Sequence, residues 1–134
     1  MPEIEEILDR CKCIAVVGLS PNPERESHAV ASYLKDQGYR IIPVNPNANK
    51  ILGERCYPDL ASVPDAIDVV DIFRKSSEVD SIVDEAIGTG AWAIWMQKGV
   101  VNERAAAKAR DEGLLVVMDE CMECEVQARL EAND

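Results

Sequence analysis

A chain of 134 residues has room for one domain with one core. Its 29% charged and 47% hydrophobic residues suit an ordinary globular protein in water, and a net charge of −11 argues against general binding to nucleic acid or to anionic membranes. No apolar run exceeds strand length, so no membrane span is expected. The acidic segment 1–9 lacks the apolar core of a secretory signal, and five cysteines, an odd number, then fit a reduced, cytoplasmic protein.

In chain order, Ile4, Ile7 and Leu8 share one helical face and predict a short helix over 1–10. Segment 13–18 is apolar on both faces, as a central parallel strand should be. A helix over 27–37 follows, with Ser27 as its N-cap, Ala29, Val30, Tyr33 and Leu34 facing inward, and Gly38 as its stop. Segment 39–44 is the second strand, ended by the turn Asn45-Pro46-Asn47. The stretch 48–64 is irregular, with a short extended piece at 55–57 and one helical turn within 58–64 packed by Leu60 and Val63.

Segment 67–73 is the third strand. Ser76 or Ser77 caps a helix through Ile87, whose inward face is Val79, Ile82, Val83, Ala86 and Ile87, with Gly88 and Gly90 ending it. Segment 91–96 is the fourth strand, and at least one of Trp92 and Trp95 belongs to the core. Asn102 caps a helix to about Glu112, Gly113 stops it, and 114–118 is the fifth strand. A turn, a final short helix and a frayed polar tail at 131–134 complete the chain.

Strands alternating with helices imply an α/β fold: a Rossmann-like, doubly wound, five-stranded parallel sheet of order 3-2-1-4-5 with helices on both faces. The whole of 1–134 reads as a single domain with its core over about 13–130, and the switch point falls between the first and fourth strands.

Ligands of such sheets bind outside the carboxyl ends of the strands. Gly18, Ser20, Arg25 and Ser27 follow the first strand, and Asn45 and Pro46 the second. Phe73 and Arg74 follow the third, Gln97, Lys98 and Gly99 the fourth, and Cys121 the fifth. An acidic protein that places Arg25, Arg74 and Lys98 on this rim is suited to an anion there, and the start of the helix after Gly18 offers unpaired N–H groups to a phosphate. The dinucleotide fingerprint is incomplete, because Ser20 stands where a second glycine is needed. No acid follows the second strand to hold a ribose, which also disfavours NAD and is compatible with a phosphorylated ribose.

The stretches Val16-Val17-Gly18-Leu19-Ser20, Gly38-Tyr39-Arg40-Ile41-Ile42-Pro43-Val44-Asn45-Pro46, Asp71-Ile72-Phe73-Arg74, Trp95-Met96-Gln97-Lys98-Gly99 and Val117-Met118-Asp119-Glu120-Cys121 resemble the small single-domain CoA-binding proteins. They are also similar to the CoA-binding domain of succinyl-CoA synthetase alpha subunits. The resemblance runs from about Ile14 to Leu130 and implies a Rossmann-like fold that holds coenzyme A or an acyl-CoA, a small nucleotide ligand, across the strand ends. On that resemblance Gly18, Ser20 and Arg25 cradle the phosphates with the helix start near Ser27. Asn45 and Pro46 border the adenosine, Phe73 and Arg74 flank the nucleotide, and Gln97 and Gly99 close the far side beside Lys98. The phosphorylated histidine of the synthetases has no counterpart, since the only histidine, His28, lies at a helix start.

Cys121 matches a cysteine of the family pattern and is a candidate for a mixed disulfide with the CoA thiol, or simply a half-buried small residue. Cys121 and Cys124 are spaced as a redox pair, although Asp119, Glu120 and Glu123 surround them; with Cys11 and Cys13 they make a poor zinc site, so no metal is expected. With no Ser-His-Asp, Cys-His or paired-carboxylate arrangement, independent catalysis is not expected. The expected function is a CoA-binding carrier, sensor or regulatory module, alone, with a partner protein or as a homo-oligomer. The alternatives are a nucleotide-dependent oxidoreductase and a CoA-linked thiol–disulfide enzyme using Cys121 and Cys124.

Overall fold

The computed structural model describes residues 2–132. Met1 and residues 133 and 134, the end of the expected frayed tail, lie outside the described residues. Helix α1 spans Pro2–Arg10 and buries Ile4, Ile7 and Leu8 as the spacing predicts. Strand β1 (Cys13–Val17) leads to helix α2 (Glu26–Asp36) and strand β2 (Arg40–Val44). The irregular stretch holds a small antiparallel pair, β3 (Lys50–Ile51) and β4 (Glu54–Arg55), and one helical turn at Leu60–Ser62, capped by Asp59 through a 2.9 Å bond from the Ser62 N–H. Then come β5 (Val69–Ile72), a turn at Ser76–Glu78, α3 (Val79–Thr89), β6 (Ala93–Met96), α4 (Glu103–Asp111), β7 (Leu115–Val117) and α5 (Met122–Ala132).

The five main strands are parallel, in the order β2-β1-β5-β6-β7. Outside β2, Tyr57 makes a parallel bridge to Val44. Counting that extended piece as the third strand gives the expected 3-2-1-4-5 pattern. What changes is the assignment of segments: Val69–Ile72 lies beside β1, and the switch point is between β1 and β5. The register aligns Val17 with Val44 and Ile72, and Ile72 with Met96, so Gly18, Asn45, Phe73 and Gln97 leave the sheet side by side.

Alternation assigns each strand residue to one of two cores. Ala15, Val70, Ile72, Ile94 and Met96 pack with α3, α4 and Leu60 on one face. Ile14, Val16, Val69 and Trp95 pack with α1, α2 and α5 on the other. Three local expectations are corrected. Ser27 is not the N-cap: α2 begins at Glu26 with Arg25 before it, because the Ser27 hydroxyl turns back to accept the Ser20 N–H at 3.0 Å. Ala31, not Ala29, completes the inner face of α2. Neither Ser76 nor Ser77 caps α3, whose N-cap position is Glu78; the Ser76 hydroxyl accepts the Val101 N–H at 3.0 Å and its carbonyl accepts from the Asn102 side chain at 2.9 Å, which fastens the turn after β6. Asn102 caps α4 as predicted, and Gly90 (φ +82°) closes α3.

Candidate functional site

Two clefts open along the strand ends and meet at Arg74 and Glu78. The first, of about 290 Å³, has Gly18, Asn45 and Pro46 on its sheet side and Pro58, Asp59, Leu60 and α3 on the other. The second, of about 280 Å³, is lined by Phe73, Arg74, Lys75, Glu78, Gln97, Lys98 and Val100. Seven of the sequence-predicted residues therefore gather here: Gly18, Asn45, Pro46, Phe73, Arg74, Gln97 and Lys98.

Gly18 is placed where the chain needs a glycine. Its φ is +89°, and a Cβ would stand 2.4 Å from the Phe73 carbonyl oxygen and 2.8 Å from Arg74 Cδ. Its N–H donates to the Val44 carbonyl at 2.9 Å, so the turn is pulled flat against β2. Asn45 fixes the neighbouring turn: its amide nitrogen donates to the Leu19 carbonyl at 3.0 Å and its amide oxygen accepts the Asn47 N–H at 2.8 Å.

Ser20, Arg25 and Ser27 line neither cleft. The turn that carries them satisfies its own amides: Ser20 N–H donates to Ser27, Asn22 N–H to the Ser20 hydroxyl at 3.1 Å, and Glu24 N–H to the Asn22 side chain at 3.0 Å. Arg25 is exposed. Gly99 and Cys121 also line neither cleft; the Gly99 N–H donates to Asp119 at 2.7 Å, two residues before Cys121.

Charge is divided between the clefts. Asp59, Glu78 and Glu85 surround the first, with Arg74 as its cation. In the second, Arg74, Lys75 and Lys98 outnumber Glu78. Arg74 donates to Glu78 at 2.7 Å, and that hydrogen bond holds the Glu78 carboxyl below its usual range. Glu85 accepts the Leu60 N–H at 3.0 Å and so ties α3 to the opposite wall. Sequence reading missed this acidic wall, since Asp59, Glu78 and Glu85 come from separate turns and a helix that only folding brings together.

Beneath the second cleft lies another missed residue, Asp71. It is fully buried on β5 and accepts the Gln97 side-chain N–H at 2.8 Å. Burial pushes its carboxyl up to about 7, against the lowering effect of that hydrogen bond. By contrast, Asp68 at the other end of the sheet is structural: it accepts the Lys12 and Cys13 N–H groups at 2.9 Å each and Trp92 Nε1–H at 3.2 Å. Burial would raise its pKa, but these donors outweigh burial and lower it.

The cysteines separate by environment. Burial pushes Cys11 up to about 12 and Cys13 to about 11, and raises Cys56. Burial and the neighbouring Cys124 thiol push half-buried Cys121 to about 11, and the Cys124 N–H donates to its sulfur at 3.3 Å. Among the described residues no group of three or more His, Cys, Asp or Glu side chains is assembled as for a metal ion, and no helix is long and apolar enough to cross a membrane.

The chain is similar throughout to the uncharacterized protein YneT of Bacillus subtilis, with 43% identity over 120 residues, 90% of this chain and 89% of that one. A hypothetical protein from Pyrococcus horikoshii has the same fold at a TM-score of 0.93 and 43% identity, covering 96% of this chain and 91% of the other. Part of the chain, 81 residues or 59%, is 35% identical to an ADP-forming acetate–CoA ligase of Archaeoglobus fulgidus, of whose length it covers 12%. The CoA binding domain profile matches residues 12–127, from the start of β1 into α5. The chain thus belongs to the CoA-binding domain family.

Proposed function

We propose that this single-domain chain binds coenzyme A or an acyl-CoA across its strand ends and serves as a carrier, sensor or regulatory module with no chemistry of its own. The observation that carries this reading is the division of charge between two clefts that share Arg74. CoA is itself divided, with an uncharged adenine and phosphates on either side of its ribose. The adenine amine is a donor, and carboxylates have lone pairs to spare beyond the bonds Asp59 and Glu85 already accept. In this arrangement the adenosine borders Asn45 and Pro46, and the phosphates lie toward Arg74, Lys75 and Lys98, where guanidinium and ammonium donors make charge-assisted bonds.

Gly18 gives the backbone clearance that a Cβ would remove. Arg25 adds a cation from the rim, Ser20 and Ser27 hold the shape of their turn, and Gln97, Gly99 and Cys121 close the far side. The absence of a nucleophile–base pair among the cleft residues supports a binding role. A partner chain or a second copy would then supply any chemistry, much as the ligase relative carries a similar segment within a longer chain. Free thiols fit a cytoplasmic setting. The thiol–disulfide alternative rests on the Cys121–Cys124 contact, but a Cys121 thiol pushed to about 11 is a poor nucleophile at neutral pH.

Equilibrium titration of CoA into the wild type and into Arg74→Glu and Lys98→Glu, with far-UV spectra to confirm folding, tests the placement. Both reversals should weaken binding, and more so at low salt. Unchanged affinity in both variants overturns it.

A further inference from the structure

Asp71 lies between Val16 of β1 and Trp95 of β6 in the middle of the sheet, with no exposure to solvent, and Gln97 is 1% exposed. One hydrogen bond joins them, from Gln97 Nε2 to Asp71 Oδ1. The remaining two oxygens, Asp71 Oδ2 and Gln97 Oε1, are buried and have no partner. Both are acceptors, so no rotation of either group lets one satisfy the other. A single proton on Asp71 removes both deficits. A neutral carboxyl turns Oδ2 into a donor, and Gln97 Oε1 is the acceptor that lacks one.

We propose that Asp71 is held as a neutral acid donating to Gln97, and that this proton positions the floor of the second cleft. Gln97 is the residue through which the proton acts. Its main-chain N–H bonds to Ile72 and its carbonyl accepts the Val100 N–H at 2.8 Å, so it anchors the turn that carries Lys98 and Gly99. When Asp71 ionises, its proton passes to solvent. The pair loses its second bond, and an unpaired negative charge appears beneath the cations of the cleft.

The surroundings offer no counter-charge. On this face α1, α2 and α5 present apolar side chains such as Ile7, Leu8, Val30, Leu34 and Met122, with Cys11, Cys56, Tyr33 and Tyr39 as the titratable groups packed among them. Half-buried His28 on α2 and Cys121 before α5, exposed Cys124, and the Arg129–Asp9 ion pair are among the further titratable and charged groups of these helices. Asp119 and Glu120 in the turn before α5, Lys98 beside Gln97, and Arg74 after β5 lie at the rim. None of these contributes to the shift of Asp71, which burial and the Gln97 amide set alone.

The ligand arm of this proposal rests on CoA binding; the proton arm does not. The test begins with carbon-13 NMR of the ligand-free wild type carrying labelled aspartate carboxyls. One aspartate should titrate near neutrality and be missing from Asp71→Asn. If every aspartate titrates below about pH 5, the neutral acid is refuted. Asp71→Asn can form the same two-bond pair at every pH, because an amide supplies both a donor and an acceptor. CoA affinity is then measured for both proteins from about pH 6 to about pH 8.5. Titration of the CoA phosphates cancels in the ratio, so the wild type should lose affinity several-fold relative to the variant as pH rises. A flat ratio overturns the positioning role. If CoA binds neither protein, the proposed function fails, while the carboxyl titration still decides the state of Asp71.

Discussion

Gly18 can be tested with one methyl group. In Gly18→Ala the new Cβ would stand 2.4 Å from the Phe73 carbonyl oxygen, a backbone atom of the adjoining strand end. Comfortable contact needs about 3.5 Å, so β1 and β5 must part by about 1 Å at the point where the two clefts border the sheet. The Phe73 N–H donates to the Val17 carbonyl at 2.9 Å, and that bond resists the movement. A side chain at φ +89° costs about 1–2 kcal/mol, and overpacking adds about 1–3 kcal/mol, for a total of about 2–5 kcal/mol. Gly99 provides the control: its φ is +88°, but a Cβ there meets nothing within 4 Å, so Gly99→Ala pays only the backbone cost, about 1–2 kcal/mol. Urea unfolding followed through buried Trp95 measures both, and CoA titration of the folded variants measures the site. Gly18→Ala should be the less stable and should bind CoA more weakly. Equal destabilisation of the two variants, with CoA affinity intact in Gly18→Ala, would refute the close-approach role of Gly18.

Glu78→Gln should raise CoA affinity, because it removes the carboxylate that competes with phosphates for Arg74; calorimetric titration showing weaker binding would mean that Glu78 orients Arg74 rather than restraining it. Stability should fall as pH rises. The folded-state carboxyl of Asp71 titrates at about 7 against an ordinary 3.8, so its contribution is fully present below about pH 4 and is lost as pH climbs to about 7. The loss is on the order of 4 kcal/mol for this fully buried group, and urea unfolding across that range should show it in the wild type but not in Asp71→Asn. Alkylation of the native protein should label Cys124 first and Cys121 slowly, with Cys11, Cys13 and Cys56 protected until unfolding; mass spectrometry counts the adducts.

The central sheet was legible because its signals are local. The run Ile14-Ala15-Val16 is apolar on both faces, Gly18 and Asn45 punctuate the ends of the first two strands, and Gly38, Gly90 and Gly113 separate helices from the strands that follow them. The strand-end rule then brought Gly18, Asn45, Pro46, Phe73, Arg74, Gln97 and Lys98 together. Long-range preferences were hidden. Ser27 looks like a cap in sequence, but its hydroxyl serves Ser20 seven residues earlier. The β3–β4 pair has two residues per strand, too few for a periodic signal. Tyr57 sits outside β2 through a single parallel bridge, and β5 takes the flank of β1 through long-range register pairs from Ile14–Val69 to Val17–Ile72 that no local pattern announces. Nothing local to Asp71 marks it out in the sequence, because its partner Gln97 is 26 residues away.

The most direct measurement is thermal unfolding of the purified chain with CoA, acetyl-CoA, NAD, NADP and ATP added in turn, since a ligand that binds only the native state raises the melting temperature. CoA should raise it and NAD should leave it unchanged. Stabilisation by NAD without stabilisation by CoA would contradict the assignment of the two clefts to coenzyme A.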